Sequence, residues 1–284
     1  MATFTNQAVL SYNNVTTSSN VATGELISAI TAAKTAVIDT YTVNDTVTYV
    51  ISIVNTGSTA LGALTLADDL GAYDFGNAKL LPLTYKDGSV KVFINGVLQP
   101  TPTVTAGPPL TVTGINIPAG GNAVIIYEAD VNQFAPLSAG STVVNTATVS
   151  GTGITTPVSV TETVTVREAP DLTISKSITP STVTENSRVT YTFVIQNYGS
   201  KAATVDDSVA VTDDFDPVLT DLAVTFNGET WTRGTQYNYN ETTGLFTTVA
   251  GQITVPAATY TQDAETGAYV IEPGVAVLAV TGTI

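Results

Sequence analysis

Lys34, Asp68 and Asn145 are the residues of this 284-residue chain whose types could join two side chains covalently. A neutral lysine amine can attack the carboxamide carbon of asparagine while a protonated carboxyl assists, which forms an isopeptide link and releases ammonia. Burial suits that chemistry, because removal from water disfavours both the charged amine and the charged carboxylate. Asp69 is the alternative acid, since spacing does not choose between adjacent carboxylates. The competing reading is structural: Lys34 runs its stem along a strand edge, Asp68 caps a turn and Asn145 bonds main chain. The chain contains no His and no Cys, which excludes imidazole bases, thiol nucleophiles, disulfides and metal sites built on nitrogen or sulfur.

The elements that must position these residues recur along the chain. Val47-Thr48-Tyr49-Val50-Ile51-Ser52-Ile53-Val54 alternates as a strand, with Val47, Tyr49, Ile51 and Ile53 on one face, and ends at Asn55-Thr56-Gly57. At a spacing of 142 residues, Val189 to Gln196 repeats the pattern and ends at Asn197-Tyr198-Gly199, and Lys176 repeats Lys34. The match continues from "LTLADDL" to "VAVTDDF", which puts Asp213 in the place of Asp68, and from "VKVFINGVLQP" to "LAVTFNGETW", where Asn-Gly pairs signal turns. The segment 24–37 is the best helix candidate, but its counterpart in the second copy reads as strand. Thr and Val abundance favours sheet throughout.

The copies then part. The first continues into a hairpin over 141–166; the second ends without one, while a similar segment opens the chain. Phe4 to Ser11 aligns with that hairpin so that Asn6 matches Asn145 and Ala8 matches Ala147. The expected organisation is therefore a donor hairpin over 1–26, a first β-sandwich over 27–166 with its own terminal hairpin, and a second sandwich over 167–284 that lacks one. The whole is all-β: tandem antiparallel Ig-like or transthyretin-like sandwiches, the second completed by strand exchange. A sandwich short of two strands exposes apolar edge and core, and an isolated two-stranded ribbon is marginal in water. Each deficit suits the other. Insertion into the chain's own second sandwich would give a closed monomer, although the first sandwich and its hairpin lie between the two, and a second sandwich complete in itself would leave the segment as an extra hairpin. Insertion into a second copy is a heterologous contact that repeats without closing and so builds a filament, with Phe4, Asn6, Ala8, Val9 and Leu10 as assembly residues. Lys176, Asp213 and the Asn6 of a neighbouring copy would then repeat the cross-linking triad between subunits.

The strings "VTYVISIVNTG", "LTLADDL" and "VVNTATV", with "VTYTFVIQNYG", "VAVTDDF" and "FTNQAVL", resemble the conserved-repeat domain of bacterial and archaeal surface proteins catalogued as domain of unknown function eleven. Ala67 before Asp68, and Gln7 between Asn6 and Ala8, depart from the threonine of that pattern. The resemblance implies a β-sandwich used in cell walls, stalks, S-layers or fibres, without enzyme activity.

Composition bounds the rest. A net charge of −15 repels nucleic acid, and no apolar run is long enough for a membrane helix. The start of the chain does not read as a secretory signal, so the export route is open although the expected location is extracellular, at a microbial cell or spore surface. Asp206, Asp207, Asp213, Asp214 and Asp216 offer oxygen ligands to a hard cation such as Ca²⁺, without the ordered spacing of a dedicated loop; otherwise they form a solvated strand end. No other cofactor is expected. The functional expectation is a homopolymeric structural subunit, with a monomeric adhesin or carbohydrate-binding module as the alternative. For the latter, Trp231, Tyr237, Tyr239 and Phe246 supply aromatic surface unless they pack in the core.

Overall fold

The computed structural model describes residues 2–26 and 30–284. Among the described residues the chain is all-β apart from one 3₁₀ turn at Val205–Asp207. Within the segment 24–37 the structure forms strand, as the counterpart in the second copy implied, at Ala22–Leu26 and Ile30–Ala36; residues 27–29 lie outside the described residues. The chain divides into two compact units. The first comprises 1–39, 44–132 and 143–164, and the second 40–43, 133–142 and 165–284, so the division is not a single cut at 166.

At the start of the first unit, β1 (Ala2–Asn6) pairs with β4 (Ala22–Leu26), and β2 (Val9–Tyr12) with β3 (Val15–Ser18). Asn13 and Asn14 close the ribbon with φ of 44° and 65°, the left-handed pair that matches strand twist in a two-residue turn. These strands pair with no others among the described residues. Phe4, Val9, Leu10 and Tyr12 stand in solvent.

The body of the first unit is two open sheets. One runs through Lys91–Ile94, Asn122–Val131, Thr46–Asn55 and Ile30–Ala36, and the other through Leu110–Ile117, Leu61–Asp68, Thr142–Thr152 and Val158–Val166. The alternation of Thr46–Asn55 is realised: Val47, Tyr49, Ile51 and Ile53 are buried, as are Leu64, Leu66, Val149 and Val164 of the other sheet. In the second unit a five-stranded sheet is ordered Leu172–Thr179, Arg188–Asn197, Gly274–Thr283, Thr220–Phe226, Glu229–Trp231. Among the described residues the second unit's other sheets are a three-stranded one of Thr212–Asp214, Leu245–Thr248 and Tyr237–Tyr239 and a two-stranded one of Thr259–Gln262 and Tyr269–Glu272. Tyr237, Tyr239 and Phe246 of the three-stranded sheet pack into the core with Val189, Phe193 and Ile195. Among the described residues Thr212–Asp214 pairs with Leu245–Thr248 alone, whereas Leu61–Asp68 pairs with Leu110–Ile117 on one side and Thr142–Thr152 on the other. Accordingly Leu172–Thr179 is almost wholly exposed, with Ile174 at 54%, whereas Ile30 and Lys34 on the equivalent strand are 5% exposed.

Each repeat closes its second strand with a buried asparagine. Asn55 Nδ2 donates to the carbonyls of Thr59 (2.8 Å) and Pro118 (2.9 Å), and its Oδ1 accepts from Gly57 N–H (3.0 Å). Asn197 does the same with Lys201 (2.7 Å), Pro256 (2.9 Å) and Gly199 (2.9 Å), and also accepts from Asp171 N–H. The side chain thus supplies both donor and acceptor to loops that have no ladder partner. Asn55→Ala and Asn197→Ala should each lower unfolding free energy by roughly 1–3 kcal/mol through stranded buried groups, read as a lower urea midpoint at unchanged slope.

Candidate functional site

Lys34 sits opposite Ile51 on the edge strand of the first sheet, and Asp68 at the end of Leu61–Asp68 in the second, beside Ala147. Both point between the sheets. Lys34 Nζ lies 2.7 Å from Asp68 Oδ2, with both side chains at 0% exposure, and 4.7 Å above the Tyr49 ring. Asp68 Oδ2 also accepts from the Tyr127 hydroxyl (2.8 Å), and its Oδ1 from Leu70 N–H (3.0 Å). The Tyr127 oxygen in turn accepts from Asn145 Nδ2 (2.9 Å). Asn145 is fully buried, and its Oδ1 has no hydrogen-bond partner.

The three residues singled out by type and spacing therefore meet in one buried cluster, and the structure adds a fourth, Tyr127. Sequence reasoning passed over it because it is one more inward residue of an apolar strand. Burial drives the Lys34 amine below its ordinary value against the opposing pull of Asp68, and drives the Tyr127 hydroxyl well above its own. One proton moved along the 2.7 Å contact turns ammonium and carboxylate into amine and acid, the forms that amide exchange uses. The hydrogen bonds run from the Asn145 amide through the Tyr127 hydroxyl to Asp68, so acid and amide share one contiguous chain. Asp69 does not share the role: its carboxylate turns to the strand edge and accepts from Gly71 and Thr146 N–H, both at 2.9 Å.

The second unit holds part of this arrangement. Lys176 pairs with Asp213 and lies 4.6 Å over the Tyr191 ring, but the lysine side chain is 40% exposed. Val280 stands opposite Tyr191 where Tyr127 stands opposite Tyr49. Asn6 is exposed on β1, opposite Ala22.

The acidic residues considered for Ca²⁺ are not gathered. Asp206 and Asp207 belong to the 3₁₀ turn, where Asp207 accepts from Thr204 N–H (2.7 Å), while Asp213 serves Lys176. Asp214 follows on the strand with its N–H on Asp213 Oδ1, and Asp216 lies beyond it. Among the described residues no group of three or more His, Cys, Asp or Glu could hold a metal ion. Trp231 packs on Phe226 at 4.9 Å and Tyr237 on Phe246 at 5.5 Å, while the Tyr239 hydroxyl bonds the main chain of Leu219. These aromatics belong to the second unit's core or pack against it.

No family model matches the sequence, so the resemblance to the conserved-repeat domain is not matched by a family assignment. No curated protein matches either. Among solved structures, the major pilin subunit BcpA of Bacillus cereus is 12% identical, covering 96% of this chain and 73% of its own, at a TM-score of 0.35. The pilus backbone RrgB of Streptococcus pneumoniae is 12% identical over 86% of this chain and 55% of its own, at 0.33. A family 123 glycoside hydrolase from Clostridium perfringens is 11% identical over 48% of this chain, at 0.30, and the chain spans only 27% of its length.

The two lysine–aspartate pairs should differ in what they contribute. Asp68→Ala strands a buried amine and should cost about 3–5 kcal/mol, largely recovered by Lys34→Met with Asp68→Leu, because a charge left without its partner is the source of the cost. Asp213→Ala at the more exposed pair should cost under about 1 kcal/mol. Chemical denaturation of the four proteins checks the contrast.

Proposed function

We propose that the protein is a structural subunit of an extracellular or spore-surface filament, in which the N-terminal hairpin of one copy completes the second unit of the next. The observation that carries this reading is a pair of complementary deficits in one chain. The hairpin exposes Phe4 at 61% and Leu10 at 61%, and the second unit exposes Ile174 at 54% on a sheet face whose counterpart is covered in the first unit. Covering both at once removes apolar surface from water and satisfies an open strand edge. Because donor and acceptor are different surfaces, the contact repeats head to tail.

In the same reading the lysines are cross-linking groups. Lys34 Nζ bonds the Asn145 carboxamide carbon within a subunit, the carbon–nitrogen bond to Nδ2 breaks, and ammonia leaves with the proton that Lys34 gives up through Asp68. Lys176 and Asp213 await the Asn6 of a neighbour for the equivalent reaction between subunits. The role is mechanical, and the buried amine, acid and amide act once upon each other.

Electron microscopy of the full chain and of a protein lacking residues 2–23 tests assembly: filaments should form only from the first, and filaments persisting after the deletion would contradict the reading. Intact mass and peptide mapping test the bonds. Each bond removes the mass of one ammonia, and the joined peptides should carry Lys34 with Asn145, and Lys176 with Asn6 from different chains.

A further inference from the structure

We infer that the open edge of Thr212–Asp214 receives residues 6–11 of a neighbouring copy in a single register, with Ala8 beside Asp213, and that Asp214 sets this register by gripping the main chain of Gln7. The inference rests on hairpin donation and specifies its interface.

The first unit shows how such a strand is held. Ala147 lies beside Asp68, Thr148 beside Ala67 and Val149 beside Leu66. Beyond that ladder the second carboxylate of the Asp68-Asp69 doublet takes over: Asp69 N–H donates to the Thr146 carbonyl (3.0 Å), and Asp69 Oδ1 accepts from Thr146 N–H (2.9 Å). The side chain stands in for a main-chain acceptor and fixes the incoming strand at one residue. Adjacent residues of a strand face opposite ways, so one aspartate of the doublet serves the buried lysine and the other the neighbouring strand.

The second unit keeps the doublet and lacks the strand. Asp213 pairs with Lys176 and lies beside Phe246, as Asp68 lies beside Leu110. Asp214 is exposed, and its N–H turns back onto Asp213 Oδ1 at 3.0 Å instead of reaching a neighbouring strand. In the repeat alignment Gln7 stands where Thr146 stands, so Asp214 meets Gln7 as Asp69 meets Thr146.

The hairpin has the matching parity. Ala8 N–H donates to Ser19 Oγ (3.0 Å) and the Ala8 carbonyl accepts from Ser19 N–H (2.8 Å), so both main-chain groups of Ala8 point into the ribbon. Those of Gln7 and Val9 therefore point to its free edge, since hydrogen-bonding direction alternates along a strand. Thr146 bonds Asp69, and by the same alternation Thr148, in register with Ala67, bonds the same neighbouring strand; the two match Gln7 and Val9. A one-residue slip would reverse both the bonding direction and the buried face. A two-residue slip keeps both but moves Asn6 away from Lys176 and leaves Asp214 without Gln7. The register also sorts the assembly residues: Phe4, Asn6, Ala8 and Leu10 face the acceptor core, and Val9, matching Thr148, faces outward.

The chain has no cysteine, so introduced pairs read the register directly. Thr212→Cys combined in turn with Gln7→Cys, Val9→Cys or Ser11→Cys should, after mild oxidation of assembled full-length protein, give a disulfide joining different chains for Val9 only, identified by non-reduced peptide mapping. Adding Asp214→Ala should spread the yield over all three positions. Linkage dominated by Gln7 or Ser11, or filaments without linkage at any position, overturns the register and leaves hairpin donation standing. Absence of both filaments and linkage in all three proteins overturns donation itself. An unchanged Val9 preference in Asp214→Ala removes Asp214 as the residue that sets it.

Discussion

A β-sheet with one apolar face must have that face covered, and the rest of this structure follows from where the rule is met. In the first unit the hairpin Thr142–Val166 covers the sheet that carries Lys34, and the covered space is dry enough to hold lysine, aspartate, tyrosine and asparagine in one hydrogen-bonded chain. In the second unit the two corresponding sheets keep the lysine and the aspartate, but Leu172–Thr179 faces solvent. Chemistry and architecture are thus one problem: the covering strands bring both the burial that lowers the lysine amine and the asparagine it would attack.

Much of the fold was legible because the two copies differ little in inward-facing positions. Alternation at Val47 to Ile53 and its repetition at Val189 to Ile195 identified the central strands, and the common phase of the lysine and the aspartate doublet in both copies marked them as candidates to meet, without choosing between Asp68 and Asp69. The likeness of Phe4–Ser11 to 143–150 was also visible, because strand identity resides in local alternation.

What stayed illegible depends on direction and closure. Spacing could not say which of Asp68 and Asp69 turns inward; the ladder decides it, placing Asp69 against Thr146. Tyr127 looked like packing, and only the facing sheet shows its hydroxyl between Asp68 and Asn145. The asparagines of the Asn-Thr-Gly and Asn-Tyr-Gly turns read as turn formers, although their buried amides staple loops about sixty residues apart in sequence. The aspartates of 206–216 formed a run on paper but serve a cap, a lysine and a strand edge in space.

The central claim is that the second unit lacks a layer which the hairpin supplies. Hydrogen exchange of a protein lacking residues 2–23, with and without a synthetic peptide of residues 2–26, tests it at the acceptor itself. The account predicts that the peptide slows amide exchange at Thr212–Asp214 and stabilises the second unit, while exchange in the first unit stays as it was, since opening free energies report locally. Unchanged exchange across Thr212–Asp214 at saturating peptide, or protection that falls instead on the first unit, would contradict it.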